Sequence, residues 1–197
     1  MPFFERFSTH DTFHIYSPMK TSLLTLFISV LSTQAFAEVE IKELRVYKNE
    51  RKIELITKEE QVYKTYKIML GRNPEGHKTK DGDNKTPEGT YTLDIKNPTS
   101  KFHKAFHISY PNTLDILKAR MHGKNPGGNI MLHGMPNNFS EMQDWLTSVK
   151  LDSLSDETLR SSLLNYDWTN GCIAVTDAEI DEIYSIVDVP TKIVINP

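Results

Sequence analysis

A single cysteine, Cys172, is present in 197 residues, so an internal disulfide framework is excluded and a zinc site built on paired thiolates is excluded with it. Basic clusters are missing too. Lys and Arg are scattered singly and the net charge is −3, which removes the electrostatic footprint of a nucleic-acid binder and, with it, DNA and RNA as partners. Beyond residue 37 no stretch approaches the roughly 20 apolar residues of a transmembrane helix. Internal repeats, low-complexity segments and a His-Glu-x-x-His pair are also absent. What is present, 38% hydrophobic and 25% charged residues, is the balance of one globular domain with a real core.

The one long apolar run lies near the start. Lys20 precedes Leu23 to Leu31, which is almost wholly apolar, and Ala35-Phe36-Ala37 fits the small-x-small cleavage pattern, so residues 19–37 are predicted to be a secretory signal peptide. Residues 1–18 carry aromatics, two histidines and Pro18 but no targeting logic, and read as an extension preceding a true start at Met19. The expectation is export to the periplasm of a domain spanning residues 38–197, without an integral membrane segment once the signal is cleaved. In an oxidising compartment a lone thiol is left free, bonded between molecules, or kept for chemistry.

From Val39 to Leu70 the pattern has period two. Ile53 and Leu55 alternate with Lys52 and Glu54, and Val62, Tyr66, Ile68 and Leu70 share one parity, which predicts half-buried antiparallel strands turning at Asn49-Glu50. Gly71 to Gly89 loses periodicity and reads as a surface loop. Strands are predicted over 90–95 and 105–110, with a connector from Asn97 to Lys104, then a helix over Thr113–Met121 and a loop over 123–128. Residues 135–166 read as a helical insertion. Ser140 with Gln143 fits a capping box, Met142, Trp145, Leu146 and Val149 form one apolar face, and a second helix from Ser155 buries Leu159 and Leu163. Thr176 with Glu179 opens a last helix with Ile180, Ile183, Tyr184 and Val187 on one face, and Thr191 to Ile195 closes the chain as a strand. The fold class expected is mainly β with α (α+β), a mixed sheet with helices inserted between two chemical motifs.

Those motifs sit at strand ends. Asn129-Ile130-Met131-Leu132 runs into His133-Gly134, and Asp167-Trp168-Thr169-Asn170-Gly171-Cys172 turns into Ile173-Ala174-Val175. A thiol and an imidazole so placed suggest a nucleophile and its base, the thiol needing a lowered pKa of the kind a nearby imidazole supplies. The bland alternative is a small buried hydrophobe on an apolar strand. His107 lies on a strand where it can line the same cleft, whereas His77, His103 and His122 read as surface or structural residues, His77 as solvated. A zinc site drawn from His103, His107, His133 and Cys172 is the chemical rival, and a non-enzymatic wall-binding module is the other. Ligand spacing disfavours the first, and no cofactor is expected.

His133-Gly134 followed by Thr169-x-Gly171-Cys172-Ile173, with Thr86-Pro87-x-Gly89 upstream, resembles the signature of the L,D-transpeptidase (YkuD-type) catalytic domain. The strings from His107 to Asn112, Pro126-Gly127-Gly128 and 167–176 are similar to the YafK-like branch of that family. The resemblance implies acyl transfer on peptidoglycan stem peptides at diaminopimelate. Cys172 attacks, His133 takes the thiol proton, backbone N–H groups around Gly171 and Cys172 receive the oxyanion, and Thr169 and the Gly134 carbonyl give support. An amine acceptor, including an envelope protein joined to peptidoglycan, gives transfer; water gives hydrolysis. Ala174 stands where most members carry Arg. The resemblance then leaves substrate holding to His107, Tyr110 and Trp168, and brings hydrolysis close behind transfer.

Overall fold

The computed structural model describes residues 39–197, so the predicted signal peptide and the 1–18 extension lie outside the described residues. Alternating apolar residues build β1 (Ile41–Tyr47), β2 (Lys52–Thr57) and β3 (Val62–Lys67), each antiparallel to the next. Val62 is exposed, not buried with Tyr66, because the β2–β3 register slips after Leu55 at the open end of this edge strand. β4 (Gly89–Ser100) and β5 (His103–Ile108) follow, then β6 (Ile130–His133), β7 (Ile173–Ala174) and β8 (Thr191–Asn196). The connector predicted from Asn97 to Lys104 is instead mostly strand. A register shift between Asn97 and Ser100 absorbs Pro98, and only Lys101 and Phe102 turn the hairpin.

The eight strands form one mixed sheet in the order β3-β2-β1-β8-β4-β5-β6-β7, with β1/β8 and β6/β7 parallel and the other pairs antiparallel. The sheet curls. The segment after β3 returns to the far end through bridges Met69–Ala174 and Gly71–Thr169, so the cysteine segment is held by both ends of the strand order. One face buries Leu44, Ile53, Phe106, Leu132, Ile173 and Ile193 beneath α4 (Asp177–Ile186), which contributes Ile180 and Ile183. The Thr176–Glu179 capping box of α4 is formed as predicted, satisfying orphan N–H groups at the helix start.

The other face carries the insertion. After a 3-10 turn at Ser140–Met142 come α2 (Gln143–Ser148) and α3 (Asp156–Leu163), and their buried Leu146, Leu159 and Leu163 pack with Met69, Met135, Phe139, Trp168 and Ala174. Each such leucine contributes about 1.5–3 kcal/mol on burial, so the insertion is part of the core and not a loose flap. Ser155 caps α3 as predicted. The Ser140–Gln143 capping box does not form: Ser140 instead bonds the Asn138 side chain, and the α2 N-cap is Met142. α1 (Thr113–Met121) matches its predicted span and is capped by Asn112 with Asp115. Among the described residues no helix is long and apolar enough to cross a membrane.

Candidate active site

Parallel pairing of β6 with β7 aligns Leu132 with Ile173 and His133 with Ala174. Side chains alternate across a strand, so Cys172, two residues before Ala174, points to the same face as His133. That face opens into a cleft of about 1010 Å3 lined by both residues, together with Phe102, Asn129, Met131 and Trp168. Here the thiol donates to the Asn129 carbonyl at 3.8 Å and not to the imidazole.

The cysteine segment is fastened at several points. Asp167 accepts from the Leu70 N–H at 2.9 Å and from the Arg51 guanidinium at 2.7 Å, which ties the segment to the first hairpin. Thr169 Oγ1 donates to the Cys172 carbonyl at 2.8 Å, and Thr86 Oγ1 donates to the same carbonyl at 3.5 Å. Thr86, fully buried, is how the distant Thr-Pro-x-Gly string reaches the site. Gly171 has φ +124°, and a Cβ there would lie 2.6 Å from the Lys85 carbonyl, so only glycine fits the turn. The Gly171 N–H already donates to Thr169 Oγ1 at 3.1 Å. It is therefore engaged in the loop, contrary to the expectation that it receives an oxyanion.

His133 is almost fully buried and its Nδ1 lies 2.7 Å from the Gly134 carbonyl. A carbonyl only accepts, which puts the proton on Nδ1 and leaves Nε2 as the basic nitrogen. Phe102 stacks on the ring at 4.3 Å between centroids and Trp168 meets it edge-on at 5.7 Å. Burial pushes the imidazole down from 6.5 to about 4, against a smaller upward pull from the Gly134 hydrogen bond. Burial likewise pushes the Cys172 thiol up to about 11, opposed by the Met131 N–H and the charge of Lys78. The lowered thiol pKa that reactivity needs is therefore not supplied by the burial of the free site. Both shifts favour the neutral forms, because the aromatic walls that orient the ring also strip its water.

The buried imidazole has a consequence for stability. The unfolded chain takes up this proton near pH 6.5 and the folded chain only near pH 4, so the unfolded state is favoured as pH falls through that window. Urea unfolding should therefore show wild type losing about 3 kcal/mol more than His133→Gln between pH 7 and pH 4. Parallel profiles would mean that the ring is not buried neutral.

The other predicted residues separate. Trp168 lines the cleft, and its indole N–H is buried with no acceptor among the described residues. His107 shares the sheet face of Met131 but lies outside the cleft lining, its Nδ1 held 2.7 Å from Asp94. Tyr110 is also outside the lining: its hydroxyl donates to the Pro126 carbonyl at 3.1 Å, joining two segments. His77 is only partly solvated, and both ring nitrogens are engaged: Nδ1 accepts from the Glu88 N–H at 3.0 Å and Nε2 lies 3.2 Å from Asp115. His103 pairs with Asp181, and among the described residues no three of His, Cys, Asp and Glu come together as a metal site. Ala174 is fully buried under the insertion and does not line the cleft. Phe102 was missed, hidden in a stretch that reads as a polar connector.

Fold and site together define a curled mixed-sheet domain of α+β class that brings one cysteine and one histidine to a single cleft. The model of the L,D-transpeptidase catalytic domain, YkuD, matches residues 41–195, and the chain belongs to that family. It is 30% identical over 149 residues to the Escherichia coli K12 protein named "Putative L,D-transpeptidase YafK", covering 73% of this chain and 46% of that protein. Among solved structures, the helical cell shape determining protein Pgp2 (K307A mutant) from Campylobacter jejuni aligns with TM-score 0.52 and 24% identity over 80% of this chain and 47% of that one. Pgp2 without the substitution aligns with TM-score 0.52 and 22% identity, over 80% and 50% of the two chains. These structures share the fold. The chain spans about half the length of the relatives it matches.

Proposed function

We propose that this is an exported, periplasmic, cysteine-dependent peptidoglycan enzyme performing L,D-transpeptidase-type acyl transfer on diaminopimelate-containing stem peptides. The observation that carries the reading is the shared cleft of Cys172 and His133, with the His133 Nδ1–H fixed on Gly134 so that Nε2 is the base. Family membership supplies the substrate class.

In this mechanism the resting pair stays neutral until substrate enters. His133 Nε2 takes the Cys172 proton as sulfur bonds to the carbonyl carbon at the L centre of diaminopimelate, and the carbonyl electrons become an oxyanion. With the Gly171 N–H engaged by Thr169, oxyanion donation falls to the Cys172 amide; such a donor typically contributes about 2.7–4 kcal/mol. Collapse breaks the peptide C–N bond, the imidazolium returns its proton to the leaving amine, and a thioester remains. An amine of a second stem peptide or of an envelope protein then attacks the thioester, and the thiol is restored.

The test supplies a tetrapeptide donor with excess amine acceptor and identifies products by mass. Transfer predicts a joined donor–acceptor product that disappears when the amine is omitted. Shortened peptides alone, at every amine concentration, would replace transfer with hydrolysis. Ala174 is buried away from the cleft and holds no substrate, and hydrolysis is the alternative outcome of this test.

A further inference from the structure

Three cationic side chains line the cleft, and two are already matched. Lys78, nearly buried, sits 2.9 Å from Asp83, and Lys101 pairs with Glu141. Arg72 has no carboxylate partner among the described residues. Its backbone is fixed beside the cysteine segment by the Gly71–Thr169 bridge and by its own N–H, which donates to the Thr169 carbonyl at 3.0 Å. The guanidinium reaches the side-chain oxygen of Asn170, two residues before the thiol, and lies 3.5 Å from that of Asn84. Both acceptors are neutral amides. They orient the group while leaving its charge uncompensated and several of its five N–H donors free.

We infer that Arg72 is the carboxylate-recognition residue of the cleft, pairing through its guanidinium with a carboxylate of the peptide that acylates Cys172. The inference rests on the stem-peptide reading, because such peptides are rich in carboxylates. It also answers the question raised at position 174. Ala174 is sealed under the insertion, so a guanidinium serving this cleft must come from another element, and the loop after β3 supplies one from the rim. A planar fork holding a carboxylate by paired hydrogen bonds gives position as well as attraction.

The experiment measures calorimetric binding of two peptides to the full chain carrying Cys172→Ala, which prevents turnover. One is a diaminopimelate tetrapeptide with free carboxylates, the other the same peptide with every carboxylate amidated. Adding Arg72→Gln should weaken binding of the free-acid peptide about tenfold or more, the worth of a charge-assisted hydrogen bond at a partly solvated rim. It should leave the amidated peptide unchanged, and Arg72→Lys should fall between. Equal weakening of both peptides, or no weakening of either, would overturn the assignment while leaving the stem-peptide reading intact. If neither peptide binds before Arg72 is altered, the stem-peptide reading fails and the assignment fails with it.

Discussion

Cys172→Ala is expected to abolish turnover of stem peptides, by a factor on the order of 10^4 or more, since no other thiol exists in the chain to carry the acyl group. His133→Gln should cost about 10^2–10^4 in turnover, the usual range for a positioned general base. The two histidine-dependent readouts should then diverge. Burial holds the thiol protonated at rest, with its pKa pushed up to about 11, so the imidazole does not generate a standing thiolate. Alkylation of the free enzyme by iodoacetamide at pH 7 should be slow in wild type and change little in His133→Gln. A large loss of alkylation in that variant would point to a standing thiolate–imidazolium pair.

Ala174→Arg should destabilise the fold by about 4 kcal/mol or more, roughly 10 °C or more in Tm for a domain of this size. Position 174 is fully buried within the cluster that holds Met69, Met135, Phe139, Leu146, Leu159, Leu163 and Trp168, and its backbone is bonded in both directions to Met69. A guanidinium placed there is a buried charge without a partner and an overpacked core at once. Thermal unfolding decides the matter: an unchanged Tm with altered peptide affinity would mean that residue 174 faces the cleft after all.

Legibility in the sequence followed the range of the interaction. Local signals succeeded. The Thr176–Glu179 box, the Ser155 start of α3 and the full span of α1 all depend on side chains within a few residues of one another. Both strand-end motifs were visible for the same reason, His133 closing β6 and Cys172 preceding β7. One local signal failed, since Asn138 takes the Ser140 hydroxyl that the capping box needed, and the other failures depended on contacts distant in sequence. The motif comparison located position 174, but only its place in the buried cluster with Met69, Leu146 and Leu159 reveals that it is covered. Tyr110 and His107 belong to a string shared with the family branch, yet Pro126 and Asp94 hold them elsewhere. Phe102 is the converse: a hairpin turn carries it onto the His133 ring, and no periodicity marks a turn residue as part of a site. The direction of the thiol pKa also came from tertiary burial, which a motif does not encode.

The most direct test of the central claim is acid quench of the enzyme during turnover of a tetrapeptide donor, followed by intact-mass measurement and peptide mapping. The account predicts a covalent adduct equal to the donor acyl group without its leaving amine, mapped to Cys172 and removed by hydroxylamine as a thioester is. Product formation with the acyl group mapped to any other residue, or undiminished product from Cys172→Ala, would contradict it.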